Sequence, residues 1–236
     1  MQPLLPDNFY ISSLKKTEIR DLLYFLVAQN YSRSGQSSHI NTNFDMEINN
    51  LFKEDQALFD HSVYYILKSR KDRKIYGSIK IAYWDRISSL PIEKLFGLNV
   101  QKIIPDGTSH IWHIARFAIS NDIPCCRITI LKKLLFNAFY PVYSKGNGLI
   151  LAECDKKLTN VLNQIGIKTH VLKESIQYLG SETVPIYIKS EWLKKFILSN
   201  RQRYFSTIDN NLKLFEHFGR MYTPLQKQGL GEQFFY

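Results

Sequence analysis

The sequence predicts a single α/β domain built on a mixed, mostly antiparallel sheet flanked by helices. Three stretches carry that expectation. Residues 110–120, HIWHIARFAIS, are an apolar run broken only by His113 and Arg116 and bounded by turn formers, as in a strand covered on both faces. After it, Ile128, Leu131, Leu135, Ala138, Phe139 and Val142 trace one helical face that stops at Gly146-Asn147-Gly148, and a second apolar strand, 149–154, follows. Strand, long helix, strand is a βαβ crossover. Upstream, residues 62–67 and 75–83 are β-rich runs around a very basic turn, which predicts a hairpin and an antiparallel front half.

The remaining elements follow in chain order. Ile19, Leu22, Leu23 and Leu26 stand at helical spacing and predict a helix over 17–29, capped by Thr17. The Ser- and Asn-rich residues 31–43 read as a loop, and 44–59 as a second, weaker helix. Between the hairpin and the central strand, 84–107 is a connection with a short helical piece at 92–95. Asp155 caps a short helix carrying Leu158, Val161, Leu162 and Ile165, which Gly166 ends. Strands at 169–178 and 183–188 close the sheet, and 191–203 is helical. The domain spans 1–204; residues 205–236 form a C-terminal extension, partly helical around 212–218.

Composition narrows the classes. Hydrophobic residues make up 44% of the 236 and aromatics 14%, which excludes a disordered chain. The net charge is +10, from 31 Lys+Arg against 21 Asp+Glu, and such a surplus attracts acidic partners. The basic residues are scattered, with no zinc-finger spacing and no RNA-binding aromatic signature, so nucleic acid is not the expected partner. Three cysteines form no disulfide framework and no metal-ligand pattern. No signal peptide and no run of about 20 apolar residues is present, which points to a cytoplasmic protein without a transmembrane segment.

His113 and Arg116 decide what the central strand is for. A buried imidazole and guanidinium must be paired or must line a cavity. Strict alternation sends Ile111, His113, Ala115 and Phe117 to one face and Trp112, Ile114, Arg116 and Ala118 to the other. A β-bulge between His113 and Arg116 would shift the register and turn both towards one cavity, while bending the strand away from 149–154.

Short motifs reinforce the reading through their order: Phe59-Asp60, Tyr65-Ile66-Leu67, Gly77-Ser78-Ile79-Lys80, Trp112 to Ile119, then Leu179-Gly180 and Val184-Pro185-Ile186. This series resembles the acyl-homoserine lactone synthases and the related long-chain N-acyl amino acid synthases. The element order resembles the GNAT (acyl-CoA N-acyltransferase) fold to which they belong. In those families the strand reads roughly W-E-x-S-R-F/L-A-V, and a G-x-x-R opens an earlier one. His113 stands here for the strand carboxylate, Lys80 for the earlier arginine, and Ala57 for the first acid of a D-x-F-D motif.

The resemblance implies an N-acyltransferase that moves a fatty acyl group from acyl carrier protein, or from acyl-CoA, to the amino group of an amino acid or similar small amine. No cofactor is implied beyond that donor. The lost acid and a missing N-terminal tryptophan argue against lactone synthesis from a cationic sulfonium substrate. Residues 122–127 lack the Gly-rich pyrophosphate turn of CoA enzymes, which favours an acidic carrier protein as partner. A lactone synthase, a CoA-dependent acetyltransferase and a catalytically inactive acyl-binding module are the alternatives. His113 would take the amine's proton, as an imidazole can near neutral pH, with Arg116 as the second catalytic residue. Lys80 and Arg116 would hold the acceptor's carboxylate, unless they are ion-paired with Asp60 or Glu153. Asp60, Trp112, Phe117, Glu153 and Cys154 complete the substrate-binding candidates. No metal site is expected.

Overall fold

A computed structural model describes residues 8–34, 43–123, 126–178 and 180–204. Its frame is an eight-stranded sheet. Strand β1 (Phe9–Ser13) lies at one edge, followed in space by β2 (Ser62–Ser69), β3 (Ile75–Tyr83), β4 (His110–Ile119), β5 (Gly148–Asp155), β8 (Ser181–Lys189) and β6 (His170–Val171), while β7 (Ile176–Tyr178) also pairs with β8. Only the β4–β5 pair is parallel among these strands; the others are antiparallel. That single parallel pair is the one the βαβ crossover demands, because a parallel neighbour needs a long connection. The connection is α5 (Arg127–Lys145), which ends at Gly146, φ 65°, a left-handed position that glycine takes without a Cβ clash.

Helices cover both faces. Helix α5, α6 (Lys156–Gln164) and α7 (Lys194–Tyr204) pack on the face that carries Ile79, Ile81, Ile114, Ile150, Ile186 and Ile188. The opposite face meets α1 (Ile19–Ser34) and α2 (Asn43–Leu58) through Tyr64, Ile66 and Ala118. Further along that face, α3 (Pro91–Phe96) and α4 (Val100–Ile103) cover Ile111, Leu149 and Leu151. Alternate residues of β4 and β5 therefore enter different cores, which is why both strands read as unbroken apolar runs.

The sequence reading differs from the structure in four places. Strand β1 was not expected; Phe9 to Ser13 is too short for alternation to reveal and exists because the free edge of β2 pairs with it, Phe9 opposite Ser69. Helix α1 begins at Ile19, after a 3-10 turn that contains Thr17 and starts from Lys15 instead of a Thr17 cap, and it runs on to Ser34, into residues expected as loop. Helix α4 is an extra turn, capped by the Asn99 side chain accepting from the Lys102 amide. The strand expected over 169–178 is two short pieces, β6 and β7, each pairing with β8. The extension 205–236 and its helix at 212–218 lie outside the described residues.

Two features of β4 position the site. Opposite β3, Ser78 pairs with Ala118 but Lys80 with Ala115, so three steps on β4 match two on β3. The extra residue is the expected bulge. It centres on Arg116, whose φ of 54° is left-handed and costs a non-glycine residue about 1–2 kcal/mol. The Ser78 hydroxyl donates to the Arg116 carbonyl at 2.6 Å, giving the displaced backbone oxygen a partner. Beyond the bulge Arg116 and Ala118 share the face of Ile111 and His113. On the other edge, pairing with β5 ends at Ile114 opposite Ala152, although β5 continues to Asp155 against β8. The two strands part there.

Candidate active site

The gap between β4 and β5 opens into a cleft of about 1080 Å³. This is at or above the ~300–1,000 Å³ of small-molecule sites. The sheet contributes small side chains at the opening, Ala115, Ala152 and Cys154, and the floor is apolar, with Leu131, Leu135 and Phe139 of α5 facing the sheet. Small residues on the strands and large ones at helical spacing below them leave space that a uniform core would fill. Leu26 and Leu51 of α1 and α2 and Tyr178 of β7 border the cleft from the other face.

At the parting of the strands, the His113 Nε2 lies 3.1 and 3.0 Å from the two carboxylate oxygens of Glu153. The strands themselves make this pair. His113 lies opposite Leu151 in the parallel register, and Glu153, two residues on, points to the same face. Glu153 lines the cleft; His113, 4% exposed, sits behind it. The group that faces the cleft is therefore the carboxylate, with the imidazole at hydrogen-bonding distance behind it.

On the same face, Asp55 of α2 is fully buried between two cations. Lys80 Nζ donates to it at 2.7 Å and Arg116 Nε at 2.9 Å, while Arg116 Nη2 lies 3.2 Å from Glu54. Burial pushes the Asp55 carboxyl up, but Arg116 and Lys80 outweigh it and hold it below the usual carboxylate range. Burial likewise works against charge on Arg116, yet Asp55 and Glu54 keep its guanidinium protonated. Lys80 Nζ also lies 5.4 Å from the centre of the Tyr64 ring. This cluster fixes the strained bulge, because the left-handed backbone at Arg116 aims its side chain at α2.

The sequence-predicted residues thus divide. Arg116, Phe117, Glu153 and Cys154 line the cleft. Lys80 and Arg116 are ion-paired, as the alternative had it, but with Asp55 rather than Asp60 or Glu153. Asp60 stands on an exposed 3-10 turn beside Lys16, 3.7 Å away, outside the cleft lining. Trp112 is in the core, edge-on to Tyr83 at 5.0 Å, because alternation turns it to the face opposite His113. Burial pushes the Cys154 thiol up to about 12, and the side chain packs in the core as a small apolar group. Asp55 was missed. Ile48, Leu51 and Asp55, at helical spacing, form the buried stripe of α2, so a carboxylate on an apolar face was the available signal. Among the described residues no three His, Cys, Asp or Glu side chains are placed to hold a metal ion, and no helix is long and apolar enough to cross a membrane.

No protein-family model matches the chain, and no curated protein is similar to it in sequence. Solved structures are similar in three dimensions. TofI, in a ternary complex with an inhibitor and MTA, shares 14% identity over 80% of this chain and 96% of its own, with a TM-score of 0.53. FeeM, an N-acyl amino acid synthase from uncultured soil microbes, shares 13% over 81% and 96%, at 0.52. The AHL synthase LasI shares 14% over 78% and 91%, at 0.53. The fold is GNAT-type. At these identities the likeness concerns the backbone path alone.

Proposed function

We propose that this chain is an N-acyltransferase that moves a fatty acyl group from a thioester to the amino group of a small amine, such as an amino acid. The observation that carries this reading is the parted β4–β5 edge, which opens into a long apolar cleft with the His113–Glu153 pair at its mouth. Past Ile114, the backbone edge of β4 facing β5 has no ladder partner. A thioester arm laid there would take the place of the missing strand, and free amides would hold the developing oxyanion. The amine nitrogen attacks the thioester carbonyl carbon, the carbon–sulfur bond breaks, and the thiol leaves. Glu153 accepts the amine's proton, with His113 orienting its carboxylate and sharing the proton. The fold shared with an N-acyl amino acid synthase and an AHL synthase supports this chemistry over acetyl transfer alone.

The donor is an acyl chain on an acidic carrier protein. Its support is the +10 charge together with the segment before α5. There Arg127 donates to the Ser120 carbonyl and the Asn121 side chain, while Asp122 accepts from the Ser120 hydroxyl. These groups are engaged with one another, and a carboxylate stands where a pyrophosphate would need amides.

The deciding experiment offers the protein long-chain acyl carrier protein and a mixture of amino acids, with mass spectrometry for new N-acyl products. Product is expected, and raising ionic strength should slow the carrier reaction because exposed charges are screened beyond ~10 Å at 0.1 M salt. Absence of product from carrier and CoA thioesters alike would sink the enzyme reading in favour of an acyl-binding module. Equal rates from both donors, unaffected by salt, would remove the carrier.

A further inference from the structure

The densest positive charge of the chain lies outside the cleft lining. Arg70, Lys71, Asp72, Arg73 and Lys74 join β2 to β3, all of them exposed, and four of the five are cations. The turn is held by its own groups. The Lys71 amide donates to the Ser69 hydroxyl, the Arg73 amide to the Ser69 carbonyl and the Lys74 amide to the Asp72 carboxylate, each at 3.1 Å. Its one acid thus serves the backbone, and among the described residues Lys71, Arg73 and Lys74 make no salt bridge. Lys68, by contrast, is buried against Glu18 and adds nothing to this surface. Like charges crowded into so short a turn repel one another, a cost that an anionic partner removes.

The turn stands at the cleft end of the sheet. Gly77 lies opposite Ile119, the Ser120 amide donates to the Tyr76 carbonyl at 2.8 Å, and Arg127 at the start of α5 donates to the Ser120 carbonyl at 2.9 Å. Next to Arg127, Ile128 lines the cleft and is 45% exposed. From Gly77 to Lys74 the strand advances about 10 Å, at ~3.3 Å per residue, so the cations project past the end of β4 on one flank of the mouth. At their base stand Phe9, Tyr10 and Tyr76, all half-buried. Phe9 and Tyr76 meet edge-on at 5.2 Å, and the Arg70 guanidinium lies 5.3 Å from the centre of the Tyr10 ring.

We propose that this end of the molecule docks on an anionic lipid bilayer, with Arg70, Lys71, Arg73 and Lys74 among the lipid phosphates and the mouth of the cleft turned towards the membrane. A convex tip of cations over a collar of aromatic rings, beside an exposed isoleucine, matches an interface where negative charge borders hydrocarbon; an acidic protein surface would supply the charge alone. The docking surface rests on the acyl-transfer reading only for its use. An N-acylated amine is an amphiphile, and a cleft that opens at the bilayer hands it over without carrying its chain through water.

The test sediments the full-length protein with vesicles of phosphatidylcholine, with and without phosphatidylserine, in the absence of thioester and amine. Binding is expected with the anionic vesicles only, and added salt should release it. Lys71→Gln with Lys74→Gln should weaken it about 30-fold, at ~1 kcal/mol for each basic residue near the surface. Lys94→Gln with Lys102→Gln removes the same charge from α3 and α4, at the other end of the sheet, and should leave binding nearly unchanged. Equal weakening by both pairs would reduce the effect to net charge, and absence of binding to anionic vesicles would remove the bilayer; either overturns the proposal. Acyl carrier protein bearing a saturated chain is then titrated calorimetrically, without lipid, against wild type and the Lys71→Gln, Lys74→Gln protein. Equal affinities are expected; a loss in the variant, with vesicle binding intact, would assign the tip to the carrier instead. Vesicle binding as expected, with no product from any thioester, would sink acyl transfer and leave the docking surface standing.

Discussion

Glu153→Gln should lower the acyl-transfer turnover by about 10²–10⁴, the usual contribution of a positioned general base, equivalent to about 3–5.5 kcal/mol of barrier. The substitution keeps the shape of the side chain and a hydrogen bond to His113 Nε2, so the fold should survive. What it removes is the carboxylate that faces the cleft. His113→Gln should fall in the same range, because the carboxylate then loses the group that orients it and shares its proton. The two effects should not add: residues acting as one unit are lost together, and the double variant should be little slower than either single one. A Glu153→Gln protein with wild-type turnover would show that the proton goes elsewhere.

Asp55→Ala is expected to cost about 3–5 kcal/mol of folding stability, because removing one partner strands buried charges. For a domain of this size that corresponds to a fall in Tm on the order of 10 °C. Lys80, 1% exposed and with its pKa lowered by burial, would lose the anion that supports its ammonium, and Arg116 would retain only Glu54. Activity should fall as well, since the bulge would lose the contact that opposes its strain. The double replacement Asp55→Leu with Lys80→Met should recover part of the loss by removing the stranded charge. The pH dependence has a definite sign. The carboxyl of Asp55 is held below its ordinary value by Arg116 and Lys80 against the effect of burial, so the unfolded chain takes up the proton first. Its contribution is complete above the unfolded value of ~3.9 and disappears as pH falls through the lower folded value. Wild type should therefore lose stability on acidification below about pH 4 in a way that Asp55→Asn does not. Superimposable acid-denaturation curves for the two proteins would remove Asp55 from that account.

Much of the site's frame was legible in the sequence because it depends on neighbours along the chain. Alternation is a period of two, and it placed His113 and Arg116 on opposite faces unless one residue was inserted; the bulge at Arg116 is that insertion. The helical stripe of α5 and its glycine stop followed from spacing alone, and with them the crossover that makes β4 and β5 parallel neighbours. Glu153, at the end of the second apolar strand, was a candidate as a substrate-binding residue or as an ion-pair partner of Lys80 and Arg116.

Other features could be fixed only by folding. Arg116 and Asp55 are 61 residues apart, and nothing local chooses Asp55 over Asp60 as the partner; the packing of α2 on the sheet presents one to the core and leaves the other in water. The order of the pair at the mouth, carboxylate in front and imidazole behind, depends on how far β5 travels past the point where β4 turns away. The short strand β1 forms only because β2 offers it an edge. The cleft itself belongs to no residue: it is the space left when the small side chains of two parting strands meet the large ones of α5. Periodicity is a property of near neighbours and was read directly, whereas ion-pair partners and cavities depend on long-range packing that local propensities do not encode.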